Sequence, residues 1–401
     1  MAAGSGSGFF AERKAPAVLK HALLAQYVAP FLGMTGSTSA NGRVVFFDGY
    51  AGAGRYADGT PGSPLLAMAT ARKQLPNRIL DCVFVEKDRK SFEALDKITQ
   101  GFRAQGVRCA ALHGSVEEHI VSTIQRATGA PLFMFLDPFG VPLPYPTLVG
   151  AMTGQRSAVR PPTEVLLNLS DKAIRHIAGQ LKPGAKDRSA LPRLDIALGT
   201  WWRDTFLGTC NATGDTETAV QAVVDEYALR LGRDTNSTVI SVPVHTRKGH
   251  LPLYHLVFTT RSPYGVWVFA DALAQAQREW RKVQFDEEGD EEQDSVLFKT
   301  DDLLTADEAR LKAAGTAAIE RNLLDLLERE PSFRLLDHPY DIYGKTWLGV
   351  ARETWVRQAI KNLHKRSLTS SDGVGPKIRD LRVERPRPHA GAATQWAQTP
   401  G

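Results

Sequence analysis

The 401-residue sequence predicts an α/β protein: a Rossmann-like, mostly parallel sheet with a terminal antiparallel hairpin, then a small C-terminal α+β domain. Three observations lead there. Short apolar runs at 44–47, 80–85, 132–136 and 165–169 alternate with helical patterns, as in successive βα units. The first run opens directly into a glycine turn, VVFFDGYAGAGRY over 44–56. From residue 286 the composition changes to an acidic, aromatic-free run, DEEGDEEQD, which reads as a solvated linker.

These boundaries divide the chain into a flexible N-terminal tail (1–15), a catalytic domain (16–285), a linker (286–300), a basic domain (301–388) and a disordered tail (389–401). A hydrophobic content of 43% with 23% charged residues is that of a soluble globular protein. No apolar run approaches the ~18–20 residues of a bilayer span, and the Gly/Ser-rich start lacks the basic n-region of a secretory signal. Cys82, Cys109 and Cys210 are too far apart for a CxxC metal knot, so the expectation is buried thiols in a reducing cytoplasm, with no metal and no membrane partner.

The elements follow in order. Residues 16–32 have apolar positions at helical spacing (Val18, Leu19, Ala22, Leu23, Tyr27, Val28). Lys20 and His21 on that helix read as a solvated lysine and a packed histidine, the alternative being a lysine pointing into a cofactor mouth. In the glycine turn, Asp48 closes the strand, and Gly49, Ala51, Gly52 and Gly54 let the backbone come close to a ligand. An anion before the glycines, without Gly-Lys-Ser/Thr, disfavours a phosphate cradle. It suits a cationic or hydroxyl-bearing group, which points to S-adenosylmethionine with its ammonium group. Ser63 is the expected N-cap of the next helix, with Pro64 at its first position. That leaves a long loop over 57–63 which either covers the cofactor or is an insertion.

Glu86 ends the second strand, where α/β nucleotide-binding folds contact ribose hydroxyls. Ser115, after a third short strand, is assigned to the adenine region. The fourth strand runs into Asp137-Pro138-Phe139-Gly140, a rigid turn whose carbonyl can face a substrate and whose aromatic ring can stack on a planar one. The stretch 174–235, with Trp201 and Trp202, reads as a helical insertion or a cap over the mouth. Residues 240–244 and 253–260 are the terminal hairpin, with an apolar run at 264–269 after it and a helix over 271–282.

In the C-terminal region, helical periodicity over 308–328 is followed by a second helix from about 354. One face of the latter carries Trp355, Ile360 and Leu363, the other Arg357, Lys361, Lys365 and Arg366. A possible hairpin with Lys377 and Arg379 comes next. Over 345–387 eleven Lys and Arg stand against four acids, a net of +7. Helices followed by a basic hairpin suggest a winged-helix-like module meeting a phosphate backbone; the alternative is a dimerisation or docking module with solvated charge.

The run DGYAGAGRY with GTPGSP, the acid Glu86, LDPFG and LLNLS resemble the three-Cys-motif partner (TcmP) family, a branch of the class I S-adenosylmethionine-dependent methyltransferases. The resemblance covers roughly 16–282. It implies that Asp48 to Gly54 hold the methionine moiety, that Glu86 holds the ribose hydroxyls, and that a separate three-cysteine protein is the partner. It also aligns Asp137-Pro138-Phe139 with the Asp-Pro-Pro-Tyr tetrad of amino-methyltransferases. Asp-Pro-Phe-Gly departs from that tetrad and is similar to the Asp-Pro-Phe/Tyr-Gly of enzymes that methylate the exocyclic amine of guanine in tRNA. The expected activity is therefore N-methylation of a base in RNA or DNA, with Asp137, Pro138 and Phe139 as the catalytic set. Two alternatives stand beside it: a methyltransferase acting on a peptide or small metabolite with a protein partner, and a non-catalytic cofactor-fold binding subunit.

Overall fold

The computed structural model describes residues 15–386 except 183, 248 and 292–299. Residues 1–14 of the tail expected at 1–15, the tail expected at 389–401 and the linker residues 292–299 lie outside the described residues, while Ala15 begins the first helix. The chain divides into two compact units, one ending at Ser262 and the other beginning at Pro263.

The first unit runs α1 (Ala15–Gly36), β1 (Arg43–Asp48), α2 (Ser63–Gln74), β2 (Ile79–Glu86), α3 (Arg89–Ala104), β3 (Cys109–His113), α4 (Val116–Arg126), β4 (Leu132–Leu136), α5 (Tyr145–Thr153), β5 (Thr163–Leu169), α6 (Asp171–Ala178), α7 (Leu191–Leu198), α8 (Trp201–Thr213), α9 (Thr216–Thr235), β6 (Thr238–His245) and β7 (Pro252–Thr260). The seven strands form one sheet in the order β3-β2-β1-β4-β5-β7-β6. β1 to β5 are parallel, and β7 is antiparallel to both β5 and β6. This is a Rossmann-like sheet with the expected terminal hairpin. The chain winds outward from β1 through β2 to β3, then returns to place β4 on the other side of β1. The crevice between β1 and β4 is therefore the topological switch point, where open α/β sheets bind ligands at the carboxyl ends of their strands.

Both sheet faces are covered, which is why its central strands are apolar at every position rather than alternately. On one face Val45, Phe47, Met134, Leu136, Val165 and Leu167 pack with Ile174, Leu194, Trp202, Val223 and Tyr227. On the other, Tyr27 of α1 meets Phe133 and Phe258 at ring distances of 5.4 and 5.3 Å. The helices over 174–235 are thus core rather than a cap: Trp202 is fully buried, and α9 is the crossover that returns the chain to β6.

Helix α1 departs from expectation in being long and apolar enough to span a bilayer by length and composition. Its side chains are committed elsewhere. Leu23, Leu24, Tyr27, Phe31 and Leu32 are buried, and the Tyr27 hydroxyl donates to Glu164, which also accepts from the Thr260 hydroxyl at 2.7 Å. Burial pushes the Glu164 carboxyl up to about 7, against the two hydroxyls that favour its charged form.

The second unit comprises α10 (Pro263–Glu291), α11 (Thr300–Arg329), β8 (Ser332–Arg334), α12 (Pro339–Trp347), α13 (Glu353–Lys365) and β9 (Arg382–Glu384). Residues 264–269 are the first turns of α10 and not strand; a short apolar run cannot be told apart from a buried helix by periodicity alone, and Pro263 suits a helix start. Trp267 and Ala270 pack with Ile319, Leu323, Tyr343 and Ile360, so 271–282 belongs here and not to the first unit. The acidic stretch is helical at least through Glu291. The hairpin expected near 373–388 is not a local ladder. β9 pairs antiparallel with β8, about fifty residues upstream, while the Thr369 hydroxyl donates to the Glu384 carbonyl and the Ser371 hydroxyl to that of Arg382 at 3.0 Å.

Candidate active site

A cavity of about 500 Å³ opens at the carboxyl edge of the first unit's sheet. Its wall includes Ala51, Gly52 and Gly54 from the turn after β1, Arg55, Tyr56 and Ser63 from the loop that follows, Lys20 and His21 of α1, and Asp137, Pro138 and Phe139 after β4. Asn168, Lys172, His176 and Tyr254 complete it. β1 and β4 are neighbours, so the two most informative sequence stretches face one cavity across the switch point.

The turn is shaped by its glycines in two ways. Gly52 and Gly54 have φ of +62° and +82°, a left-handed conformation that glycine adopts without a steric penalty. At Gly49 the restriction is packing: an added Cβ would sit 2.8 Å from Leu136 Cδ2 and 2.9 Å from Val116 Cγ2. The loop beyond closes on itself through an Arg55–Pro61 bridge and a Tyr56 N–H to Thr60 carbonyl bond of 2.9 Å. It forms cavity wall, and α2 starts one residue earlier than a Ser63 cap would have it, with Gly62 at the N-cap.

Asp48 and Gly49 lie behind the wall and not in it. Asp48 is fully buried; Oδ1 accepts from the Tyr50 N–H at 3.1 Å, while Oδ2 has no hydrogen-bond partner among the described residues. Burial lifts its carboxyl from 3.8 to about 7, opposed by the nearby Ser63 hydroxyl and the Tyr50 N–H. Glu86 also stands outside the wall. Its two oxygens accept the Gly52 N–H at 2.8 Å and the Asp88 N–H at 2.6 Å, so it braces the glycine turn and retains lone pairs for further donors. Ser115 is not brought to the cavity; it caps α4 in a reciprocal box with Glu118.

Asp137 is the centre of a buried polar cluster. One carboxylate oxygen is ion-paired with Lys20, and the other accepts from Asn168 Nδ2 at 2.8 Å. Lys20 is 8% exposed, its ammonium 5.5 Å from the centre of the Tyr254 ring. The expected solvated lysine is therefore a site residue, for a reason of tertiary placement: α1 lies along one sheet face, Tyr27 reaching the start of β5 and the helix's first turns the carboxyl edge beside Asp137. Burial, then the Asp137 charge, holds the Tyr254 phenol well above its ordinary range, so the hydroxyl stays protonated. His21 shares a hydrogen bond of 3.2 Å with the Tyr56 hydroxyl. Asn168 Oδ1 is buried and has no hydrogen-bond partner among the described residues. Phe139, by contrast, is 65% exposed at the mouth. Of the residues missed by sequence reasoning, Asn168 had a signal in the LLNLS run; Tyr254, Lys172 and His176 had none.

Comparison with known proteins adds little. No protein-family model matches the chain, and no curated protein matches it. Among solved structures, the methyltransferase domain of bacterial CtHen1-CN aligns with 59% of this chain and 99% of that domain, at 11% identity and a TM-score of 0.30.

The six cations assigned to nucleic-acid contact lie in the second unit and divide into two groups. Arg357 donates to the Gly373 carbonyl, Arg366 pairs with Glu320 at 3.3 Å, and Arg379 with Glu353 at 3.4 Å. These three stitch the unit together. Lys361, Lys365 and Lys377 are exposed and lack ion-pair partners among the described residues.

Proposed function

We propose that the first unit is an S-adenosylmethionine-dependent methyltransferase whose acceptor is an exocyclic amine of a nucleic-acid base. The observation that carries this reading is the meeting of the glycine turn and the Asp137-Pro138-Phe139 turn around one cavity at the β1/β4 switch point. The same motifs carry the resemblance to the three-Cys-motif partner family.

The residues present fit the cofactor. Left-handed glycines let the backbone approach it, Glu86 has carboxylate lone pairs for ribose hydroxyls, and the buried Asn168 Oδ1 in the cavity wall is an acceptor awaiting a donor. Asp48, buried beneath the turn, accepts the Tyr50 N–H and so holds the turn in shape for the cofactor. When bound, S-adenosylmethionine supplies an electrophilic methyl group. The chain's own contribution is placement. Asp137 and the Pro138 carbonyl accept the amine's N–H bonds and aim its lone pair, Lys20 and Asn168 fix the Asp137 carboxylate, and Phe139 stacks on the base. A target base within a duplex would have to leave the stack to reach this cavity. In the second unit, the order helix, short strand, two helices and returning strand supports a winged-helix-like reading, with Lys361, Lys365 and Lys377 as its phosphate contacts.

Transfer of labelled methyl into total RNA, DNA and protein from one lysate tests the reading. Label in nucleic acid, abolished by Asp137→Ala with S-adenosylmethionine binding retained by titration calorimetry, supports it. Label in the protein pool would move the acceptor to a peptide. Binding without transfer to any pool would leave a non-catalytic subunit.

A further inference from the structure

The mouth of the cavity carries charge that the mechanism above does not use. Lys172 and His176 are four residues apart on α6, so they share one helix face, and both are exposed and line the cavity. Neither has a hydrogen-bond or ion-pair partner among the described residues. The acids beside them are already occupied: Asp171 is buried against His255 at 2.8 Å, and Glu217 is held by Arg175. Among the described residues of the cavity wall the only acid is Asp137, itself paired with Lys20. The mouth on this side is therefore cationic with no compensating carboxylate.

Position separates this pair from the cofactor. The glycine turn follows β1, whereas α6 follows β5, two strands across in the order β1-β4-β5. At ~4.8 Å per strand that offset is about 10 Å, on the acceptor's side of Asp137. Phe139 follows β4, the strand between them. A nucleotide with its base on Phe139 would carry its phosphate towards α6.

We propose that Lys172 and His176 form a phosphate subsite of the catalytic unit, which takes the backbone phosphate of a single-stranded or flipped-out nucleotide. Lys172 supplies a point charge, and His176 donates a ring N–H in either protonation state. The inference rests on the nucleic-acid reading for its ligand, but not on methyl transfer. It differs from the sequence expectation in putting a nucleic-acid contact at the cavity as well as on residues 357–379.

The test is the salt dependence of binding of a fluorescein-labelled single-stranded oligoribonucleotide, read by anisotropy from 50 to 200 mM KCl with the full chain. Each phosphate contact contributes about 0.7 to the log–log slope for single strands. Lys172→Gln/His176→Gln should flatten the slope by about 0.7 to 1.4 and weaken binding at 50 mM, and Lys172→Arg should keep the wild-type slope. S-adenosylmethionine affinity, measured by calorimetry on the same preparations, should change less than twofold, which also verifies folding. An unchanged slope overturns the proposal, as does a wild type that does not bind the oligonucleotide. Loss of cofactor affinity with the slope intact would reassign the pair to the cofactor. A slope lost in the double variant with no methyl transfer by the wild type would keep the subsite and refute the methyltransferase reading.

Discussion

Asp48→Asn should make the first unit more stable at alkaline pH. The Asp48 carboxyl is fully buried, and its folded value is about 7 against an ordinary 3.8. Between those values the folded chain keeps a proton that the unfolded chain has released. Stability therefore falls as pH rises through that window and levels off above about pH 7. At ~1.4 kcal/mol per pH unit, the full effect is on the order of 4 kcal/mol. Asparagine keeps an acceptor for the Tyr50 N–H and carries no charge, so this loss disappears. Glu164, lifted from 4.5 to about 7, acts in the same direction over a similar window, at about 3 kcal/mol by the same conversion. Asp48→Asn should thus retain a little under half of the wild-type slope. Urea unfolding followed by tryptophan fluorescence from pH 4.5 to 8.5, without ligand, measures it. The variant's stability relative to wild type should rise by about 2 to 3 kcal/mol between pH 5 and pH 8. Parallel stability curves would mean that Asp48 is not a buried, proton-holding carboxyl, and the argument for its place beneath the turn would fail.

Two further outcomes follow from the same site. Lys20→Met, by leaving Asp137 without its cation, should lower the rate constant of methyl transfer by about 10- to 100-fold while the cofactor dissociation constant stays within twofold, and Lys20→Arg should recover most of the rate; equal losses in both variants would make Lys20 merely structural. Gly49→Ala should destabilise the first unit by about 1 to 3 kcal/mol through overpacking against Leu136 and Val116, readable as a lowered urea midpoint, and an unaltered midpoint would show that the crowding is relieved without strain.

The central sheet was legible because strands buried on both faces leave continuous apolar runs, as at Phe46–Phe47 and Phe133–Met134, and because the Asp137-Pro138 turn has no reason to follow such a run in a plain loop. What was not legible depended on tertiary placement. Lys20 sits on a helix whose spacing fixes one apolar face, but spacing does not say that the lysine's side meets the edge of a sheet formed more than a hundred residues later. Asp48 was read as a ligand contact because its position in the motif was right; its depth behind Tyr50 and Ser63 is invisible in one dimension. The run at 264–269 could not be assigned from sequence for a third reason, since a short apolar run suits a strand and a buried helix equally well. The arginines of the second unit were counted as surface charge, although Arg357, Arg366 and Arg379 are fastened to their own unit.

Helix α1 has a consequence for how the chain is made. Tyr27 hydrogen-bonds Glu164, 137 residues downstream, and its ring packs on Phe258, later still. At roughly 5–20 residues per second of synthesis, the helix emerges on the order of ten seconds before Glu164 is translated, and longer before Phe258. Throughout that interval the part of its apolar face around Tyr27, which meets β5 and β7, has no native surface to cover it. The helix that forms one wall of the cavity is therefore written well before the strands that complete its site, and until then the nascent chain carries the apolar side around Tyr27 uncovered.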